Sequence, residues 1–128
     1  MHEFAVCQGL MRQVERVARE NGARVVRRIV VSIGALSGVE AELLQQAFAA
    51  ASAGTLAEGA VLDIEAVAPR VHCLECGAES LAASNRLVCG QCGDWRVLVI
   101  AGEEMLLKSV EIERAEETPG GDRLAAGE

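Results

Sequence analysis

The chain has 128 residues, enough for one ordinary domain or for a small domain with a metal-held insert, and 51% of them are hydrophobic. The formal net charge of −7 argues against a nucleic-acid partner, because an acidic surface repels phosphate groups. No stretch approaches the roughly 20 uninterrupted apolar residues of a membrane span, and no secretory leader opens the chain. We therefore expect a protein of the reducing cytoplasm without a membrane partner.

Hydrophobic periodicity and β-branched runs predict helices and strands along most of the chain. Apolar residues at spacings of three and four indicate a first helix, which Asn21-Gly22 would end. Ser37-Gly38-Val39-Glu40 has the form of a capping box and would begin a second helix. The predicted helices cover residues 4–20 and 37–51, and the predicted strands cover 24–33, 61–68, 95–100 and 105–113.

This order of elements predicts an α+β fold in which two helices lie on a three-stranded sheet, with an inserted zinc-ribbon lobe. The expected limits are 1–69 with 102–114 for the α+β domain and 70–101 for the inserted lobe. Residues 115–128 lack apolar periodicity and are expected to form a disordered tail.

Four of the five cysteines form two Cys-x-x-Cys pairs that predict the metal in the insert. Cys73, Cys76, Cys89 and Cys92 supply the four thiolates of a tetrahedral structural Zn²⁺ site. The lobe is too short for a core of its own, and structural Zn²⁺ can contribute about 10–16 kcal/mol. Two disulfides are disfavoured in a reducing compartment, and a rubredoxin-like iron centre would show visible absorption. Cys7 lies on the apolar stripe of the first helix and is interpreted as a small buried hydrophobe.

The first three residues, Met1-His2-Glu3, offer a second set of metal donors. If the large side chain at position 2 protects Met1 from removal, the free α-amine, the His2 amide nitrogen and the His2 ring can chelate one ion. Glu3 would add its amide nitrogen or its carboxylate. Several nitrogens in one plane suit Ni(II) or Cu(II) better than tetrahedral Zn²⁺. From composition and spacing alone, a frayed terminus that binds nothing is the simpler interpretation.

The sequence as a whole resembles the HypA/HybF family over residues 1 to about 114. The resemblance rests on Met1-His2-Glu3, on the paired Cys-x-x-Cys motifs, and on the stretches 33–40 (IGALSGVE), 54–60 (GTLAEGA) and 102–112 (GEEMLLKSVEI). The family consists of nickel metallochaperones of [NiFe]-hydrogenase maturation. The resemblance implies that His2 is the principal nickel ligand, helped by Met1 and Glu3, and that the four paired cysteines hold zinc.

The resemblance also implies partners, and the residues themselves argue against catalysis. The expected partners are a HypB-type nickel GTPase, the [NiFe]-hydrogenase large subunit and, in some organisms, urease maturation factors, with the chain acting as a monomer or homodimer. The residues themselves show no Ser/His/acid set and no phosphate-binding glycine loop, so we do not expect an enzyme. The strongest rival is a structural zinc-ribbon interaction adaptor, which would bind no nickel.

Overall fold

The computed structural model describes residues 2–114 and, for the backbone, 122–125. These residues form helices α1 (His2–Glu20) and α2 (Ala41–Ala51). The strands are β1 (Ala23–Gly34), β2 (Val61–Val67), β3 (Arg70–Cys73), β4 (Glu79–Leu81), β5 (Val97–Ala101), β6 (Met105–Arg114) and β7 (Asp122–Ala125). The strands form a four-stranded sheet in the order β2-β1-β6-β7 and a three-stranded sheet in the order β4-β3-β5.

The predicted fold class is confirmed, because β2, β1 and β6 are the three strands expected beside two helices, and β3, β4 and β5 form the insert. One expectation about the tail is wrong. Residues 122–125 form β7, which pairs antiparallel with Ser109–Ile112 of β6, although disorder was predicted from 115 onward. This pairing depends on the backbone of β6, which the periodicity of the tail does not reveal. The rest of the tail lies outside the described residues.

The chain divides into two compact units. The first contains residues up to Val31, Glu40–Ile64 and the chain from Leu107 onward, and the second contains Ser32–Val39 and Glu65–Leu106. The predicted domain limits at 69/70 and 101/102 stay predictions. Within the second unit, the segment after β1 is bonded to both connections of the insert, since Ala35 N–H donates to Val67 O and Leu36 N–H donates to Gly102 O.

The core of the first unit is aliphatic, as the low aromatic content requires. Helix α1 buries residues on one stripe, and α2 buries Leu44 and Phe48. The buried residues of α1 are Cys7, Leu10, Met11, Val14 and Ala18. These spacings of three, four and one are those of a helix with one apolar face. Cys7 is fully buried, and this burial raises the pKa of its thiol, as expected for a small core hydrophobe.

Ion pairs join the strands of the first unit. Glu113 on β6 is only 4% exposed and accepts hydrogen bonds from Arg24 Nη2 at 2.5 Å and Arg27 Nε at 2.8 Å on β1. Arg28 pairs with Asp63 on β2.

Within the described residues, neither helix is long and apolar enough to cross a bilayer.

Candidate metal sites

The four paired cysteines meet at one point of the second unit. Their sulfur atoms all lie within 4.8 Å of one another. Cys73 Sγ lies 3.6 Å from Cys92 Sγ, and Cys76 Sγ lies 3.6 Å from Cys89 Sγ. Four sulfurs at a Zn–S distance of about 2.3 Å would lie about 3.8 Å apart at the corners of a tetrahedron. The sulfur cage therefore has the size and donor set of a structural zinc site.

Two turns of equal geometry build this cage. Cys73 N–H donates to Ala78 O and Cys89 N–H donates to Asp94 O, both at 2.9 Å and both five residues apart. The residue after the second cysteine of each pair donates back to the carbonyl of the first cysteine. These two residues, Gly77 and Gly93, have φ values of 78° and 77°, where a Cβ would be strained. The glycines therefore fix where each pair of sulfurs points.

Backbone N–H groups aim at the first sulfur of each turn. Glu75 and Cys76 donate to Cys73 Sγ at 3.3 and 3.4 Å, and Gln91 and Cys92 donate to Cys89 Sγ at the same two distances. Hydrogen bonds to sulfur favour the charged thiolate, which is the form that binds metal. The first sulfur of each pair is therefore prepared as a ligand by the fold of its own turn.

The pKa values of two cage cysteines are shifted in opposite directions. The backbone N–H of Cys92 lowers the pKa of Cys89 to about 6. For Cys92, the backbone N–H of Asp94 favours the thiolate, but Cys73, burial and the other sulfurs together raise its pKa to about 12. Four adjacent thiolates repel one another, and the positive charge of a bound cation would offset that repulsion and keep the coordinating thiols deprotonated.

A short charged loop, which contains Asp94 and Arg96, lies beside the cage and leads into β5. Asp94 Oδ1 accepts from the backbone N–H of Arg96, and both Asp94 oxygens accept from its guanidinium, so the pKa of Asp94 is lowered to about 2. Arg96 also pairs with Glu75 at 3.3 Å, which links the loop to the first cysteine turn. Cys73 and Cys89 are buried, whereas Cys76 and Cys92 are exposed.

The predicted nickel-binding residues lie at the start of α1 in the first unit. His2 is exposed and is the first residue of the helix, and Glu3 follows it. Met1 lies outside the described residues. The first four N–H groups of a helix have no acceptor within the helix, so the His2 and Glu3 amides are not committed to it. Glu3 Oε2 accepts a hydrogen bond from Glu40 N–H at 3.1 Å, and this bond lowers the pKa of the Glu3 carboxyl.

The bond between Glu3 and Glu40 is not visible in the sequence, and the predicted capping box at Ser37 is wrong. Helix α2 begins at Ala41 with Glu40 as its N-cap residue. Ser37 instead accepts from Val39 N–H through its hydroxyl at 3.2 Å, as in a turn. The spacing Ser-x-x-Glu could not reveal that a carboxylate 37 residues earlier lies at the helix start.

The fold and the two candidate sites are those expected of a metal-handling protein, with a four-cysteine cage on one unit and an exposed histidine at the open start of a helix on the other. Comparison with known protein families identifies the family to which the chain belongs. The chain belongs to the HypA family, described as hydrogenase/urease nickel incorporation metallochaperones, and the family pattern matches residues 1–112.

Individual relatives match over nearly their whole length. The hydrogenase maturation factor HypA of Nitrosospira multiformis is 48% identical over 112 residues, which cover 88% of this chain and 97% of the relative. That of Aquifex aeolicus is 44% identical over 113 residues, which cover 88% and 98%. The solution structure of the Ni metallochaperone HypA from Helicobacter pylori matches with a TM-score of 0.66 and 30% identity, covering 88% and 97%. The resemblance seen in the sequence is therefore confirmed.

Proposed function

We propose that this chain binds Ni(II) at its N-terminus and delivers it for the maturation of a [NiFe]-hydrogenase, while a structural zinc ion is held by Cys73, Cys76, Cys89 and Cys92. The nickel ligands would be the Met1 amine, the amide and ring nitrogens of His2, and Glu3. The observation that carries this proposal is that α1 begins at His2, so these amides are free of intrahelical acceptors beside an exposed imidazole.

The two donor sets separate the two metals by chemistry. Nitrogen donors in one plane match the tetragonal geometry of Ni(II), whereas four thiolates in a tetrahedral cage match Zn²⁺. The nickel ligands must lose protons before they bind, so nickel loading should fall as the pH is lowered. The thiolate cage closes around its ion, whereas the chain end leaves positions open through which a receiving protein can take the nickel stepwise.

The partners follow from the family. A HypB-type nickel GTPase would exchange nickel with this chain, and the hydrogenase large subunit would receive it. Urease maturation factors would be served in organisms that have them. The chain would act in the cytoplasm, as a monomer or homodimer, and by transfer of the ion rather than by catalysis.

An adaptor without nickel binding is the second candidate, and one observation favours it. Leu81 on β4 and Leu98 on β5 are 62% and 54% exposed and lie opposite Arg70 and His72 of β3 in the sheet register. Arg70 and His72 are two residues apart, so the two leucines share one face of this sheet. Exposed apolar side chains of this kind suit protein binding. This surface suits an adaptor, and nickel binding separates the two candidates.

Nickel titration of the untagged protein tests the proposal. His2→Ala should lower the Ni(II) affinity by at least tenfold, because it removes a ring nitrogen from the chelate. His72→Ala is the matched control, because the chain contains only these two histidines. Residues added before Met1 should weaken binding to a similar extent, since they remove the free amine without altering any side chain. Equal nickel affinity and stoichiometry in all four proteins would reject the N-terminal site, whereas an absence of nickel binding in the wild type would leave the adaptor.

A further inference from the structure

The Glu3 carboxylate supplies the acceptor that the start of α2 lacks. Glu40 is the N-cap residue of α2, and its own side chain makes no capping hydrogen bond. The N-cap side chain of a helix normally accepts from an N–H two or three residues further on, and in a capping box a Glu accepts from the N–H of the N-cap residue itself. Here the Glu40 N–H donates to Glu3 Oε2 at 3.1 Å. A negative charge at this point also interacts favourably with the positive end of the helix dipole.

The first turn of α1 is packed less closely than the rest of the helix. Glu3 and Phe4 are only half-buried, and full burial in α1 begins at Cys7. An open groove of about 440 Å³ lies between this first turn and α2, and it is lined by Glu3, Phe4, Leu43, Gln46, Ala47 and Ala50. Because side chains do not fill this space, the hydrogen bond from Glu40 is a direct polar link between the chain end and α2.

From helix geometry we expect the Glu3 carboxylate and the His2 ring to point in different directions. Successive residues of a helix are rotated by about 100°, and side chains at positions i and i+1 do not face each other. With the carboxylate held at the start of α2, an ion on the His2 side could reach the main-chain nitrogens without displacing it. A carboxylate ligand to the same ion would require the bond to Glu40 to break.

We propose, building on the nickel site proposed above, that the Glu3 side chain is a positioning group and not a nickel ligand. Its carboxylate caps α2 and thereby fixes the direction in which the first turn of α1 presents His2. The nickel affinity of the terminus then depends on whether residue 3 accepts the hydrogen bond from Glu40 N–H, and not on the negative charge of Glu3.

Two substitutions at Glu3 separate positioning from ligation. Glu3→Gln keeps an oxygen that can accept from Glu40 N–H but removes the carboxylate, whereas Glu3→Ala removes both. We expect Glu3→Ala to weaken Ni(II) binding roughly three- to tenfold, the size of a lost helix cap. Glu3→Gln should stay within about twofold of wild type. The Ni(II) absorption spectrum should be the same in all three proteins, because the nitrogen donors are unchanged.

Glu42→Gln is the matched control, since Glu42 is an exposed carboxylate in the first turn of α2. It should change neither nickel affinity nor spectrum. Amide exchange at Glu40, measured on metal-free protein, should accelerate in Glu3→Ala and remain slow in Glu3→Gln. If Glu3→Gln alters the nickel spectrum, or weakens nickel binding as strongly as Glu3→Ala, the carboxylate is a ligand and the proposal is overturned.

The exchange measurement keeps this proposal distinct from the nickel function. If wild-type protein binds no Ni(II), the proposed function fails, while Glu40 exchange still reports whether Glu3 caps α2. If Glu40 exchange is the same in wild type and Glu3→Ala, the positioning role is overturned even when nickel binding is intact.

Discussion

Glu113 is a charged residue whose stabilising role depends on pH. It is 4% exposed and accepts from Arg27 and Arg24. The hydrogen bond from Arg27 is the largest cause that lowers the pKa of Glu113 below its ordinary value of 4.5, and Arg24 adds to it. A carboxyl group with a lowered folded-state pKa stabilises the fold above its unfolded pKa. This contribution is lost as the pH falls through the lower, folded-state value.

Glu113→Gln should therefore be less stable than wild type at pH 7, and the difference should shrink as the pH falls below about 4.5. Urea denaturation midpoints at pH 7 and pH 3.5 measure this difference. The cysteines are the same in both proteins, so loss of metal in acid affects both alike. Glu20→Gln, at the exposed end of α1, is the control and should differ little from wild type at either pH. A difference that grows in acid would contradict the assignment.

At the scale of elements, Gly34 allows the end of β1 to approach the chain that leaves the insert. Gly34 N–H donates to Glu104 O at 2.9 Å. A Cβ at position 34 would lie 2.2 Å from Gly102 O, which is a backbone atom that cannot rotate away. We expect Gly34→Ala to lower the free energy of unfolding by about 3 kcal/mol or more, because backbone shifts are needed to relieve the overlap.

Gly9→Ala is the matched control for this substitution, because Gly9 lies inside α1. A Cβ there would meet Arg12 Nη2 at 3.6 Å, an ordinary contact. Alanine should raise stability by about 0.5–1 kcal/mol, since glycine inside a helix costs conformational entropy. Chemical denaturation of the two variants should therefore give shifts of opposite sign. Equal shifts would mean that the close approach at Gly34 does not constrain the fold.

Elements with a local pattern could be predicted from the sequence, and elements fixed by distant partners could not. The apolar stripe of α1, the β-branched run of β1 and the alternation of β2 identified these elements to within two residues. The start of α2 was misplaced because its acceptor comes from Glu3, and β7 was missed because its partner is the edge of β6. Periodicity reports what one segment buries and contains no information about contacts between remote segments.

At the scale of the whole molecule, the same contrast separates the two candidate metal sites. The four sulfurs could be predicted because each Cys-x-x-Cys turn fixes its own geometry within six residues, from Cys73 to Ala78 and from Cys89 to Asp94. The proposed terminal site would use the first residues of α1, and only the structure shows that the Glu3 carboxylate there accepts a hydrogen bond from Glu40 of the α2 start. The ligands of a metal site built from two local turns can be predicted from the sequence. For a site arranged by tertiary contacts, the sequence predicts the ligands but not the contacts that position them.

Removing one sulfur tests how far the second unit depends on its metal. A structural Zn²⁺ ion can contribute on the order of 10–16 kcal/mol, more than the small sheet β4-β3-β5 can supply from buried residues such as Val71. We expect Cys76→Ser to lose zinc and to disorder residues 70–101 while α1 and α2 persist. Metal analysis measures the first effect, and residue-resolved amide exchange measures the second.

Cys7→Ala is the control for this experiment, because Cys7 is a buried cysteine of α1 outside the sulfur cage. It should keep one zinc per chain and lose only the small stability of a trimmed core side chain. If Cys76→Ser also kept one zinc per chain, the four-thiolate assignment would be wrong. If it lost zinc but kept protected amides throughout 70–101, the insert would be stabilised by its own packing, and the metal would serve a role other than holding the lobe.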